Sequence, residues 1–95
     1  MTERLKRNFE ELEAKESNII VNALKDLHSL IIGNELNLDI LEKLVKKLLN
    51  IALTTDNEDI KLESLFILDS AYFYQPKVKL LNISLKPLTR LYKAV

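Results

Sequence analysis

Leu48-Leu49-Asn50-Ile51-Ala52-Leu53-Thr54-Thr55-Asp56-Asn57-Glu58-Asp59-Ile60-Lys61-Leu62-Glu63-Ser64-Leu65-Phe66-Ile67-Leu68 decides how this chain folds. Its first part continues an apolar series, Leu41, Leu44, Val45, Leu48, Leu49 and Ala52, whose spacing of three and four is one face of a helix. Thr54 to Asn57 is a polar turn, and Asp56 followed three residues later by Asp59 has the form of a capping box with Asp in the second place. Ile60, Ser64, Ile67, Leu68 and Ala71 then trace a second helical stripe, which Leu62, Leu65, Phe66 and Phe73 broaden. A helix apolar on much of its circumference is a central one, flanked on two sides. Two helices, 39–53 and 57–73, joined by so short a turn pack as an antiparallel hairpin.

Working outward toward the N-terminus, Asn37 is positioned to cap the first helix of the hairpin, with Asp39 favourable in its first turn. Before it, Ile20, Ala23, Leu24, Leu27, Leu30 and Ile31 predict a helix over 18–32, which Gly33-Asn34 can close through a left-handed residue. Leu5, Phe9 and Leu12 form a narrow stripe in a charged helix over 2–16. Ser17 and Asn18 are candidate caps between these two helices, and a continuous helix through Ser17 is the alternative. Toward the C-terminus, Tyr74-Gln75-Pro76 interrupts the hairpin's second helix. A terminal helical segment over 76–94, broken at Pro87, follows. Within it, residues 77–86 fit a helical stripe and also alternate as an extended segment does; the chain offers no second strand, which favours helix. The whole is expected to be one all-α domain, a short hairpin solenoid of about five to six helices.

Composition agrees. The 95 residues are 47% hydrophobic and 29% charged, with one Gly and two Pro, which suits a helical domain with a solvated surface. No apolar run approaches the ~18–20 residues that cross a bilayer, and the first residues lack a signal-peptide pattern. With no Cys there is neither a disulfide framework nor a thiolate metal site, and a cytoplasmic location is the simplest expectation. The net charge is zero but uneven: residues 1–69 hold all 14 acids and nine of the 14 bases, whereas 70–95 hold Lys77, Lys79, Lys86, Arg90 and Lys93 and no acid.

The segment quoted above resembles the middle of a HEAT or armadillo-type repeat. Such repeats end one helix with a Leu-Leu pair and turn through Asp or Asn. They open the next with an acid, a β-branched residue, a base and, three further on, a small residue; Asp59, Ile60, Lys61 and Ser64 stand at those places. Ser64 replaces the commoner Ala, and Lys61 the commoner Arg. The likeness covers about a third of the chain. A fainter echo lies 21 positions earlier, where Leu24, Leu27 and Leu30 correspond to Val45, Leu48 and Ile51, about half of a ~40–47-residue repeat. Very small HEAT-like proteins standing alone are similar to some immunity proteins of bacterial contact-dependent or polymorphic toxin systems. That resemblance rests on size and architecture, and it implies a protein that binds and neutralises a cognate toxin.

Catalytic chemistry is poorly represented. His28 is the one histidine, at the edge of an apolar face where a packing role is the simpler reading. It has no Cys or second His to build a zinc or iron site. A Ser–His pair has the residue types but no nucleophile elbow or Gly-rich oxyanion loop, and a single glycine cannot make a phosphate-cradling motif. The expectation is a non-enzyme with no cofactor and no metal.

A partner surface is the remaining reading. Glu10 and Glu13, with Glu11, and then Asp56, Glu58, Asp59, Glu63 and Asp69 can make a negative face that steers a basic partner such as a nuclease-like toxin domain. For each acid taken singly, a solvated residue or a helix cap is the favoured reading. Tyr72, Phe73, Tyr74 and Tyr92 are the aromatic candidates, Tyr74 above all, with Phe73 assigned to the core. The alternatives are a nucleic-acid-associated module using the basic end, and a structural module that hides apolar flanks by self-association. Five bases spread over 26 residues, without a recognised module, are a thin signal for nucleic acid, which is not the expected partner, and no membrane partner is expected. The sequence leaves open whether the chain is a monomer or a homodimer, and which face binds.

Overall fold

The computed structural model describes residues 3–81 and Ile83. Its architecture is all-α: α1 (Glu3–Glu11), α2 (Ser17–Gly33), α3 (Leu38–Thr54) and α4 (Glu58–Tyr74), followed by a 3-10 helix, Pro76–Leu80. Among the described residues this is four α-helices where five to six were expected. Of the expected segment 76–94, Pro76–Leu80 is 3-10 rather than α, Leu81 at its end is extended, and Pro87 and Tyr92 lie outside the described residues.

The chain's own chemistry sets the breaks. α1 stops at Glu11 rather than running to 16, and turns through Glu13 and Ala14, which separates it from α2. Neither Ser17 nor Asn18 caps α2. Glu16 occupies the cap position in extended geometry without a side-chain bond, which makes Ser17 the first helical residue. Gly33 does not close α2 in a left-handed conformation; none of the described residues has positive φ. Instead Asn34 turns extended, and both its backbone N–H and its side-chain amide donate to the Leu30 carbonyl. Asn37 caps α3 as expected, accepting the Ile40 N–H at 2.9 Å. At α4 the cap is Asn57, not Asp56. Its Oδ1 accepts the N–H groups of Asp59 and Ile60 at 2.9 and 3.1 Å, because Thr55 Oγ1 holds the Asn57 N–H one turn position back. Pro76, lacking an N–H, opens the 3-10 helix, where that donor would have no partner.

Helix α4 is the centre. It packs against both α2 and α3 and carries the 3-10 helix at its end, while α1 packs on α2. One core results, in which Leu24, Leu27 and Ile31 of α2 join Leu41, Leu44, Val45 and Leu48 of α3, all fully buried. Ile67, Leu68 and Ala71 of α4 and Val78 of the 3-10 helix complete it. Fully burying a side chain of this size contributes about 1.5–3 kcal/mol, and this shared core holds helices that would be marginal alone. α2 and α4 run the same way, with His28 of α2 bonded to Ser70 of α4 and Ile31 bonded to Gln75. α3 returns antiparallel between them in sequence. None of the helices described is long and apolar enough to cross a membrane.

Candidate functional site

The central helix has two apolar faces, and only one of them is inside. Ile60, Ser64, Ile67, Leu68 and Ala71 are buried. Leu62, Phe66, Asp69 and Phe73, spaced four, three and four, fall on the opposite side. There Phe66 is 55% and Phe73 77% exposed, so Phe73 is not a core residue as expected. Ala71, two places earlier, is buried, but the helical turn sets Phe73 with Phe66 rather than with Ile67 and Ala71. Tyr74 is also exposed and meets the Phe73 ring edge-on, with centroids 4.8 Å apart. Tyr72 is partly buried, which pushes its phenol pKa up.

The acids expected at a partner surface divide among three places. Glu58 and Asp59 stand exposed in the first turn of α4, with Asp56 exposed in the turn before it. Carboxylates there are favoured by the helix dipole. Glu58 lies 3.8 Å from Lys61, and Glu63 is half-buried one turn on. Asp69 is exposed between Phe66 and Phe73 in the stripe itself. Glu10 and Glu13 belong elsewhere: both are exposed at the end of α1 and in the turn after it, where Glu13 pairs with Lys47 of α3. Asp59, Glu63, Asp69 and Tyr74 therefore share one helix with Phe66 and Phe73, whereas Glu10 and Glu13 are set by another.

Two features beside α4 were not in the sequence-based site. His28 Nε2 lies 2.7 Å from Ser70 Oγ, a half-buried stitch from α2 to α4. Among the described residues no carboxylate bonds the other ring nitrogen, so the pair lacks the orienting group of a nucleophilic triad. The second is Gln75, which is buried. Its Nε2 donates to the Ile31 carbonyl at 2.8 Å and to the Asn34 carbonyl, and its Oε1 accepts the Leu36 N–H at 3.1 Å. This amide holds the α2–α3 loop onto the end of α4. Outside it, Ile32, Asn34, Tyr74 and Lys77 border a shallow cleft of about 300 Å³, across which Lys77 reaches Glu35 at 3.0 Å. The separate period of Phe66 and Phe73 is readable in the sequence, but that their stripe is the outer one is decided by the packing of α2 and α3. Gln75 is not readable there, because its partners are backbone groups.

Among the described residues no three His, Cys, Asp or Glu side chains converge in a way that could hold a metal ion. Compared with known protein families, with curated proteins and with solved structures, the chain matches none.

Proposed function

We propose that this chain is a protein-binding module made of two stacked helical hairpins in the HEAT manner, and that it works as an immunity protein that binds and neutralises a bacterial toxin. One observation carries the binding part: the best-packed helix, α4, leaves Phe66 and Phe73 in water, in line with Asp69 and below Glu58 and Asp59. Exposed aromatics are disfavoured on an unpartnered surface and are enriched where proteins bind one another.

The repeat reading has its own support. α1 with α2, and α3 with α4, are hairpins, and α2 lies alongside α4 in parallel. Bonds from α2 to α4 and its C-cap join residues 42 and 44 apart, His28 to Ser70 and Ile31 to Gln75. A period of that size is the repeat length of HEAT-type solenoids, and twice the 21-residue echo in the sequence. The fully buried Ser64 occupies the small-residue place where helices approach closely. The toxin step rests on small size, on this architecture and on exposed acids suited to a basic partner. In this reading the protein acts stoichiometrically, in the cytoplasm, without cofactor or metal.

Co-expression tests it. The chain's gene is expected directly downstream of a large toxin gene, and producing the chain together with that toxin's C-terminal domain is expected to restore growth. A neighbourhood without a toxin, or continued growth arrest with no complex recovered, removes the immunity reading.

A further inference from the structure

We infer that the outer face of α4 is a docking strip for a basic amphipathic helix of the partner protein; this deepens the protein-binding reading by naming the surface and the chemistry that fits it. Leu62, Phe66, Asp69 and Phe73 repeat at helical spacing along one side of α4. At 1.5 Å per residue Phe66 and Phe73 stand about 10 Å apart, two turns, which matches the i to i+7 spacing of anchors on a helix laid along it. The opposite side of α4 is locked into the core through Ile60, Ile67, Leu68 and Ala71, so the strip is presented on a rigid element. Phe73 and Tyr74 are in edge-to-face contact, so the end of the strip presents joined aromatic area to a partner.

Charge decides between occupants. Glu58, Asp59 and Asp69 are exposed along α4 and Glu63 is half-exposed, while Lys61, the helix's one base, is already beside Glu58. A second copy paired about the middle of the strip would set Asp69 against its own counterpart, which works against self-pairing. A partner helix with Leu-like anchors flanked by Lys or Arg satisfies both the aromatics and the acids.

The probe is a fluorescein-labelled 14-residue amphipathic peptide of Leu and Lys, with a Leu/Glu peptide as counterpart, titrated by fluorescence anisotropy into the full chain. The Leu/Lys peptide is expected to bind and the Leu/Glu peptide not to. Phe73→Ala should weaken binding by at least about fivefold. Asp69→Asn should weaken it by about two- to fivefold at low salt and by less at high salt. Glu42→Gln on α3 should change nothing, and all variants should keep wild-type melting curves, since these side chains are at or near the surface.

Several results overturn the strip: no Leu/Lys binding, equal binding of both peptides, or equal loss from Glu42→Gln. A dimer in sedimentation that Phe73→Ala dissociates assigns the face to a second copy instead. Tighter peptide binding on replacing Lys86, Arg90 and Lys93 by Gln assigns it to the chain's own basic end. A toxin domain bound equally well by wild type, Phe73→Ala and Asp69→Asn refutes the strip and leaves the protein-binding reading standing. Peptide binding that maps to the strip, with no toxin bound, does the reverse to the immunity reading.

Discussion

Gln75 and Leu36 are 39 residues apart and joined by a buried hydrogen bond, the Leu36 N–H donating to Gln75 Oε1 at 3.1 Å. The same amide donates to Ile31 and Asn34 carbonyls, so one side chain satisfies three backbone groups in the last turn of α2 and the loop that leads from it to α3. Gln75→Ala strands these groups away from water and opens a small void. A loss of about 2–4 kcal/mol is expected in urea unfolding, with faster amide exchange at residues 31–36. Gln75→Glu should cost nearly as much, since a carboxylate keeps the acceptor but cannot donate to the two carbonyls. A change below about 0.5 kcal/mol in either variant would show that the loop does not depend on this amide.

Asp26 fixes α1 to α2. It accepts hydrogen bonds from the Arg4 guanidinium and from Asn8 Nδ2 at 2.8 Å, and these hold its pKa down to about 2. An unfolded Asp titrates near about 3.9, so the folded state binds its proton later than the unfolded state. The stabilisation is therefore complete above about pH 4 and lost as the pH falls from about 4 toward 2. Acid titration followed by chemical shifts of α1 should show α1 loosening in that window, and Asp26→Asn should remove the dependence. An Asp26 carboxyl that titrates at its ordinary value would contradict the clip.

Ser64 is fully buried, and among the described residues its hydroxyl has no hydrogen-bond partner. Ala has the same reach without the unsatisfied group and is the better helix former. Ser64→Ala is expected to stabilise the fold by about 0.5–2 kcal/mol, measured as a shift of the denaturant midpoint at unchanged slope. Destabilisation would mean that the hydroxyl is bonded in solution.

The start of α4 separates two neighbouring residues. Asn57→Ala removes a side chain that accepts two N–H groups and should destabilise by about 0.5–2 kcal/mol. Asp56→Ala, on an exposed side chain outside the cap, should stay within about 0.5 kcal/mol. The reverse order would restore Asp56 as the cap.

These residues also show what could be read from the chain beforehand. The α2, α3 and α4 helices and the hairpin turn were legible, because apolar spacing and polar turns act locally; so was the cap at Asn37. The shift of the α4 cap from Asp56 to Asn57 was not, since it depends on how Thr55 folds the turn back on Asn57. Phe73 was misplaced because a helix with two apolar stripes looks uniformly apolar until its period is laid out, and only the packing of α2 and α3 decides which stripe is inside. Glu58, Asp59 and Asp69 of α4 are exposed as such residues usually are, whereas Glu63 is half-buried. Their separation from Glu10 and Glu13 was not legible, because it depends on how α1 sits on α2. Gln75 and the His28–Ser70 stitch join residues some forty positions apart, and no local pattern encodes such pairs.

The most direct test of the central claim is a calorimetric titration of the full chain with the C-terminal domain of the toxin encoded beside it. A 1:1 complex with Kd in the nanomolar range or below is expected, weakened at least about tenfold by Phe66→Ala combined with Phe73→Ala. No measurable heat or complex at micromolar concentrations would contradict it.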